Sequence, residues 1–307
     1  MREIHIGEII KQKRTELGLT QEELCEGICE PATLSRIESG IRTPSRSKLN
    51  ALLQRLGLPG NKYYAMMSEN ELEIERLKDE IIDCNTRKLW NKGLMKINQL
   101  SFGVDKEDLL TQQFILRSRV LIGKQVNDSI VPYTFHEKID LLFQAIHLTI
   151  PNFESEKIGS HWYSLDEMKI INQIAREYGD NKQQYIAIKI YSKMMEFIRH
   201  KLSINADNVS LTILVSYNFC LFLSQVSEYD KALEIALWGW DKCIEWSRSG
   251  WLGGLLFVVG KCLYFTGKVD ESKDYFIQSY YAFKSMRNDS DMNLVATDIQ
   301  NYFGIEL

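Results

Sequence analysis

The feature that most constrains the fold of this 307-residue chain is the division of its N-terminal segment into short helical stretches. Apolar residues recur there at spacings of three and four, which is typical of amphipathic helices. Gly18 and Gly40 each end such a stretch and Pro31 opens one, because proline suits the first helical position and glycine the position after the last. The pattern predicts five short helices, the first at about residues 5–17.

Capping signals strengthen the prediction for the second, third and fourth helices. Thr20 and Glu23 have the spacing of a capping box, in which each side chain accepts a hydrogen bond from the other residue's backbone N–H. The third helix starts near Pro31 and turns Leu34 and Ile37 inward. A bend at Pro44 precedes the fourth helix. Segments of this length bury an apolar core only by packing on one another, which predicts a small all-α domain at residues 1–67.

The charge of the chain is unevenly distributed. The formal net charge is −4, yet residues 1–67 hold ten Lys or Arg and eight Asp or Glu, a net +2, and the remainder carries −6. Residues 31–55 contain one acidic side chain, that of Glu38, and five basic ones, those of Arg36, Arg42, Arg46, Lys48 and Arg55. Local basicity of this kind favours a surface that meets nucleic acid.

Three strings carry a resemblance to a known domain type. They are RTELGLTQEEL at residues 14–24, LSRIESG at 34–40 and PS at 44–45. Together they resemble the Cro/C1-type helix-turn-helix domain, which implies that the third helix enters the major groove of double-stranded DNA. A small helical bundle without nucleic acid is the alternative. The resemblance also implies that Glu38 pairs with Arg14, in which case Arg14 is mainly a scaffold residue.

The docking geometry of this domain type assigns candidate DNA contacts. The exposed N-terminal part of the third helix faces base edges, residues at helix N-termini meet phosphates, and basic residues beyond the third helix anchor the backbone. The candidates are Glu30, Ala32, Thr33 and Arg36 for bases, Gln21 and Ser35 for phosphates, and Arg42, Thr43, Arg46 and Lys48 as anchors. One such module contacts too little DNA for useful specificity, so we expect a homodimer reading two half-sites.

Beyond the first domain the sequence predicts helix after helix. A capping box at Ser68 and Glu71 opens a linker helix at residues 68–83, and another at Ser164 and Glu167 opens a helix among the later repeats. Residues 84–307 lack convincing alternation of apolar and polar residues, so we expect no strands there. The anchor positions of the repeats recur at intervals of 40 to 48 residues, near Gly93, Ile139, Ala187, Ala232 and Ser272, and all of these except Ile139 are small. With neighbouring Tyr and Gly residues, this pattern favours a superhelix of loose tetratricopeptide-like repeats, and a HEAT-like solenoid is the alternative.

The order of these parts resembles a regulator family. A Cro-like domain, a linker helix and about five degenerate repeats look like the PlcR, Rgg and PrgX group, which are intracellular receptors for signalling peptides. The resemblance implies a DNA-binding transcription regulator of the quorum-sensing type, controlled by a short linear peptide. Two alternatives stay open. One is an adaptor whose repeats recruit a protein partner, and the other is a Rap-like repeat protein, a group that lacks the Cro-like domain.

The peptide site is predicted from the first helix of each repeat, which lines the groove of such proteins. An extended peptide needs donors and acceptors for its backbone, charge for its terminal carboxylate and apolar pockets. Amides, cations and aromatic rings at inward positions meet these needs. They are Asn172 and Asn218, then Arg119, Arg176 and Lys261, then Tyr217 and Phe257.

Other classes of function find no support in the sequence. No phosphate-binding G-x4-G-K-[ST], HExxH or G-x-S-x-G motif occurs, and the five histidines are scattered, so we expect no enzyme and no cofactor. The six cysteines lack metal-ligand spacing and are interpreted as reduced thiols, with no metal site, in a cytoplasmic protein. No apolar run is long enough for a membrane span.

Overall fold

The computed structural model describes residues 5–58 and 69–307, which hold fifteen α-helices and one two-stranded sheet. Residues 5–58, called the head from here on, contain four helices close to the predicted bounds. They are α1 (Ile6–Glu16), α2 (Gln21–Cys25), α3 (Pro31–Glu38) and α4 (Arg46–Arg55). The predicted fifth helix and Ser68, the predicted cap of the linker helix, lie outside the described residues.

The predicted capping box of α2 is confirmed. The backbone N–H of Glu23 donates to Thr20 Oγ1 over 3.1 Å, and the N–H of Thr20 donates to Glu23 Oε2 over 2.7 Å. All four helices contribute to one apolar core, as the spacing of their apolar residues predicts. Its fully buried side chains include Ile10, Leu24, Leu34, Leu52 and Leu53.

In the next part of the chain, from residue 69 to residue 147, helices that follow one another in the sequence pack against each other. Helix α5 is three residues longer at its end than the predicted linker, and Gly93 lets α6 approach its neighbours, because a Cβ there would collide with Ile122 and touch Cys84. A short 3₁₀ helix, Ser155–Lys157, precedes α9. The helices are α5 (Glu69–Thr86), α6 (Trp90–Gly103), α7 (Leu109–Ile122), α8 (Phe135–His147) and α9 (Leu165–Asp180).

One local prediction was wrong. Residues 84–307 were expected to lack strands, but β1 (Lys124–Val126) and β2 (Ser129–Val131) form an antiparallel hairpin after α7. Two residues join the strands, and Asn127 takes a positive φ of 52°, which asparagine tolerates better than most residues. Three-residue strands are too short to produce a recognisable alternation in the sequence.

The helices after α9 are joined by segments of three to eight residues. The small residues predicted to let paired helices approach are buried, as Cys220, Ala232 and Ala236 illustrate. Gly260 of α13 likewise packs against Phe276 of α14. These helices are α10 (Gln184–His200), α11 (Val209–Gln225), α12 (Tyr229–Glu245), α13 (Leu252–Phe265), α14 (Val269–Ser285) and α15 (Asp289–Phe303).

The chain forms two compact units, Met1–Glu177 and Tyr178–Leu307. The head and helices α5–α8 belong to the first unit, and the boundary falls near the end of α9. Within the described ranges, every helix is too short or too polar to cross a membrane. The expectation of an all-α chain is confirmed apart from the small hairpin.

Candidate nucleic-acid interface and ligand-binding residues

Helix α3 presents a polar face and buries an apolar one. Glu30 precedes the helix at its N-cap position and Pro31 is its first residue. Leu34 and Ile37 are almost completely buried in the head, which turns the opposite face outward. The candidate base and phosphate contacts lie on that face. Glu30, Ala32, Ser35 and Arg36 are exposed and Thr33 is half-buried.

An ion pair behind α3 holds it to α1. Arg14 Nε donates to Glu38 Oε1 over 2.6 Å, and Arg14 Nη2 donates to Glu38 Oε2 over 3.0 Å. The same guanidinium also donates to the carbonyl of Leu19 over 2.7 Å. The hydrogen bond with Glu38 raises the pKa of Arg14. The pairing that the resemblance implied is therefore present, and it makes Arg14 a scaffold residue.

Gln21 shares the same carboxylate. Its Nε2 donates to Glu38 Oε2 over 2.8 Å, which ties α2 to α3. Gln21 was predicted to contact a phosphate. In this arrangement one amide hydrogen is engaged with Glu38, so a phosphate contact would have to use the other.

The candidate backbone anchors surround the N-terminus of α4. Arg42, Thr43 and Arg46 are exposed and Lys48 is half-buried. Ser45 caps the helix by accepting the N–H of Lys48 over 3.4 Å. Exposed cations beside a helix N-terminus form a surface suited to phosphate, since backbone N–H groups and side-chain charge act in the same direction.

Arg55 is not part of that surface. Counted among the basic residues 31–55, it is in fact 2% exposed, and its Nη2 donates to Glu167 Oε1 of α9 over 2.6 Å. Its Nη1 donates to the carbonyls of Leu24 and Glu26 over 3.0 and 2.7 Å. The attribution of Arg55 to a DNA-facing surface was wrong. Its guanidinium is paired with the carboxylate of Glu167 where the head meets α9.

Further contacts join the head to the segments around α8 and α9. The N–H of Leu165 donates to Gln54 Oε1 over 3.0 Å. His161 Nδ1 lies 3.3 Å from Glu26 Oε2. Gly27 lies against the backbone of Thr149 so closely that a Cβ would collide with it. Leu110 and Trp162 also pack on the core of the head. Sequence reasoning missed this whole interface.

Glu167 was visible in the sequence only as a capping residue. The N–H of Ser164 donates to Glu167 Oε2 over 2.6 Å, and the N–H of Glu167 donates to Ser164 Oγ over 3.3 Å, so the predicted capping box is present. The same carboxylate also accepts from Arg55, 112 residues away. No local pattern carries information on a partner at that distance.

Three of the candidate peptide contacts belong to the first unit. Arg119 on α7 is half-buried and donates to Ser101 Oγ over 3.4 Å. Asn172 on α9 is buried and Arg176, one turn further, is half-buried. A cavity of about 620 Å³ lies nearby, among α6, α7 and α8. Its lining includes Ser101, Gln112, Ile115, Gln144 and His147.

The other four candidates belong to the second unit. On α11, Tyr217 stacks on Trp251 with ring centroids 5.5 Å apart, and Asn218 is 1% exposed. On α13, Phe257 meets Phe276 edge to face at 5.6 Å, and Lys261 is half-buried. Tyr217 and Phe257 thus have packing partners of their own, and each keeps part of its surface exposed.

Within the described ranges, no three His, Cys, Asp or Glu side chains are grouped so as to hold a metal ion. This statement covers residues 5–58 and 69–307.

Comparison with known proteins agrees with this architecture. A helix-turn-helix family model matches residues 10–62, and the model of the RNPP family C-terminal domain matches residues 79–304. No curated protein matches the chain.

Solved structures that share the fold include two of PlcR from Bacillus thuringiensis. PlcR of Bacillus thuringiensis in complex with the peptide PapR7 and DNA is 20% identical, with a TM-score of 0.58 over 94% of this chain and 98% of that one. The apo form of the same PlcR is 18% identical, with a TM-score of 0.61 over 95% and 98% of the two chains.

The second family model spans more than half of the sequence and begins at residue 79, after the helix-turn-helix match has ended at residue 62. The chain therefore belongs to the RNPP family, with a helix-turn-helix domain ahead of the family's C-terminal helical repeat domain.

Proposed function

We propose that this protein is a sequence-specific DNA-binding transcription regulator controlled by a short signalling peptide, as in quorum sensing. The division of labour is residues 1–67 for DNA, 68–83 as the linker helix and 84–307 for the peptide. The observation that carries the proposal is the polar face of α3, exposed on one side and held from behind by Glu38. The match of residues 79–304 to the RNPP family C-terminal domain supports the proposal that a peptide controls the protein.

On the DNA side, α3 enters the major groove with its exposed face toward the bases, with Glu30, Ala32 and Thr33 at its N-terminal end and Arg36 in its last turn. Arg36 forks onto a guanine or clamps a phosphate, since its guanidinium suits both. Glu30, Ala32 and Thr33 contact neighbouring base edges. Contacts to phosphate come from the exposed face of α3 and from residues around the N-terminus of α4. These are Ser35, Arg42, Thr43, Arg46 and Lys48, with the remaining amide hydrogen of Gln21 in a lesser role.

On the peptide side, amides pair with the peptide backbone, cations with its terminal carboxylate, and rings with its apolar side chains. Asn172 and Asn218 take the first task, and Tyr217 and Phe257 the third. The second falls to Arg119, Arg176 and Lys261. The repeats carry no chemistry of their own in this proposal, so the protein is not an enzyme. It acts in the cytoplasm, where the DNA is, as a homodimer.

Control requires that the peptide bind one arrangement of the protein better than another, because equal affinities shift no equilibrium. Two connections could transmit the difference to the head. One is the covalent path through α5. The other is the packing of the head on α8 and α9, where Arg55 meets Glu167.

The DNA half is tested by fluorescence anisotropy with DNA from the upstream regions of the protein's own gene and its neighbours, at fixed salt. Arg36→Ala should weaken specific binding by about 1–3 kcal/mol if it contacts a base. Arg46→Ala should weaken binding to all sequences and lower the salt dependence by about one counterion. Arg76→Ala is the matched control, since it removes one exposed cation from α5. Equal losses in all three variants would refute the α3 interface.

The peptide half is tested by repeating the titration with synthetic peptides from the C-termini of adjacent small reading frames. An active peptide should shift the binding curve, and Arg176→Ala should remove the shift while leaving peptide-free DNA binding unchanged. Circular dichroism checks that the variant is folded. DNA binding that no peptide alters would instead favour repeats that recruit a protein partner.

A further inference from the structure

Two cysteines lie side by side at the turn between α2 and α3. Cys25 is the last residue of α2, and Cys29 directly precedes Glu30, the N-cap of α3. The backbone N–H of Cys29 donates to the carbonyl of Cys25 over 3.0 Å, which closes one turn of chain between them. Their side chains are close enough that each perturbs the pKa of the other. A disulfide between them therefore needs only a short movement of the sulfurs.

The two thiols have different surroundings. Cys25 is 1% exposed in the core of the head, and its Sγ lies 3.7 Å from the carbonyl of Glu22. Cys29 is half-buried and lines a cavity of about 500 Å³. Lys48 and Lys106 line the same cavity. Three acidic residues, Glu30, Glu107 and Asp108, line it too. A small oxidant thus has access to Cys29, whereas Cys25 is shielded.

The charges around the pair, like the difference in exposure, make Cys29 the more reactive of the two thiols. Contact with Cys25 lowers the pKa of the Cys29 thiol, and the charges of Lys48 and Arg42 lower it further, against the effects of burial and of Glu30. Contact with Cys29 and burial raise the pKa of Cys25. The thiolate is the reactive form of cysteine, so Cys29 is the nucleophile of the pair and Cys25 stays protonated.

We propose that Cys25 and Cys29 form a reversible disulfide when the protein meets a hydroperoxide. The Cys29 thiolate attacks the peroxide, the O–O bond breaks, and after protonation a sulfenic acid and one water remain when the oxidant is hydrogen peroxide. The Cys25 sulfur then attacks the Cys29 sulfur, and its proton leaves with the hydroxyl group as a second water. The two thiols lose two electrons and the peroxide gains them. A dithiol reductant reverses the reaction by exchange.

The disulfide would act on α3. An S–S bond of about 2.05 Å is much shorter than any non-bonded contact between two sulfurs, so the sulfurs must approach. Cys25 is held in the core, so most of the movement falls on Cys29 and on Glu30 beside it. Those residues begin the helix end that carries the candidate base contacts. We expect the oxidised protein to bind DNA more weakly, a consequence that rests on the proposed function, whereas the disulfide itself does not.

The other four cysteines serve as an internal reference. Cys84, Cys220, Cys243 and Cys262 are all buried. Burial raises the pKa of Cys243 to about 11 and that of Cys262 to about 12. Burial also raises the pKa of Cys220 well above its ordinary value. These thiols should react slowly.

The covalent test uses the full chain with hydrogen peroxide, followed by alkylation, trypsin and mass spectrometry without reduction. One tryptic peptide, residues 15–36, contains both cysteines. It should appear unalkylated and lighter by two hydrogen atoms, at least about tenfold faster than any of the four reference thiols is oxidised. In Cys25→Ser, a sulfenic acid should persist on Cys29 and be trapped by dimedone. In Cys29→Ser, neither product should form. Oxidation of the pair no faster than the reference thiols, or trapping on Cys25 in Cys29→Ser, would overturn the proposal.

The DNA test compares reduced and oxidised protein by anisotropy. Oxidation should lower the affinity at least about tenfold, dithiothreitol should restore it, and Cys29→Ser should respond to neither, since a tenfold change needs only about 1.4 kcal/mol. A disulfide that forms while DNA affinity stays constant would overturn the effect on α3. Reduced protein that binds no DNA would count against the proposed function and leave the disulfide result standing.

Discussion

Two arginine–glutamate ion pairs include residues of the head. The inner pair lies within the head, and the outer pair joins the head to α9. Arg14 and Glu38 join α1 to α3 within the head, 24 residues apart in sequence, with side chains 13% and 3% exposed. Arg55 and Glu167 join the head to α9, 112 residues apart, with both side chains 1% exposed. The chemistry is the same in both pairs, but the inner pair retains some contact with solvent and the outer pair has none.

The difference shows that the inner pair orients the helices within the head, whereas the outer pair holds the head against α9. The inner pair, with Gln21, sets the frame that orients α3, whatever lies outside the head. The outer pair exists only where the head meets α9. A buried ion pair adds little net stability when formed, yet losing one partner leaves an unpaired buried charge. We therefore expect the outer pair to favour this docked arrangement over alternatives that would leave Arg55 or Glu167 unpaired.

The largest effect should come from Glu167→Ala, which leaves the Arg55 guanidinium buried without its carboxylate. We expect a loss of about 3–5 kcal/mol in the free energy of unfolding, measured by urea denaturation. Glu177→Ala is the control on the same helix. It breaks an ion pair with Lys138 whose side chains are 15% and 24% exposed, and should cost at most about 1 kcal/mol. Equal losses would remove the distinction between buried and exposed pairs on α9.

Next comes Gly27→Ala, compared with Gly18→Ala. Both glycines have a positive φ, 64° and 70°, so alanine brings similar backbone strain of about 1–2 kcal/mol to each. Only at Gly27 would the new Cβ collide with the backbone of Thr149, whereas at Gly18 it meets nothing within 4 Å. Gly27→Ala should therefore cost a further amount of about 1–3 kcal/mol from overpacking. Identical melting curves for the two variants would argue against the docking of the head.

Glu38→Ala should have a smaller effect on stability and a larger one on DNA binding. It removes the acceptor of Arg14 and Gln21, a loss of about 1.5–3 kcal/mol for hydrogen bonds to a charged group. Partial exposure lets water replace some of the loss at Arg14. Because α3 loses its frame, operator affinity should fall more than in Glu167→Ala, as anisotropy can measure. The opposite ranking would mean that docking, not the inner pair, orients α3.

The smallest effects should come from the two capping boxes. Thr20→Ala and Ser164→Ala each remove one cap, at a cost of about 1 kcal/mol. Similar losses in thermal denaturation would show that the large effect of Glu167→Ala arises from Arg55. Thr15→Ala, in the exposed part of α1, is the control and should be nearly neutral. A Ser164→Ala loss as large as that of Glu167→Ala would assign the effect to capping.

The cap of α2 also predicts a pH dependence. The backbone N–H of Thr20 holds the pKa of Glu23 below its ordinary value. Since the folded pKa is depressed, the contribution of Glu23 to stability is present above the unfolded pKa. It is lost as the pH falls through the folded value. Glu23→Gln should flatten this part of the stability profile between neutral and acidic pH, as equilibrium unfolding at several pH values can measure.

The local signals for helix starts were strong both in the head and in the helices that follow it. Glycine and proline positions and the boxes at Thr20 and Ser164 gave usable helix starts, because a cap involves only residues three positions apart. The hairpin at residues 124–131 escaped because three-residue strands leave no readable alternation. The candidate peptide contacts followed from repeat spacing and remain proposals. Arg55 was misinterpreted because a basic residue near a DNA-facing surface resembles a phosphate contact until its burial is known.

By itself, the sequence determined the helices of the head, the pairing of Arg14 with Glu38 through its resemblance to a known domain, and the helical repeats behind it. Those features depend on neighbours along the chain or on a pattern shared by a whole family. Only the tertiary structure decided that Arg55 faces Glu167, that Gly27 meets Thr149, and that Cys29 borders a cavity. The physical reason is that these contacts join residues brought together by packing, and no local spacing encodes which surfaces will meet.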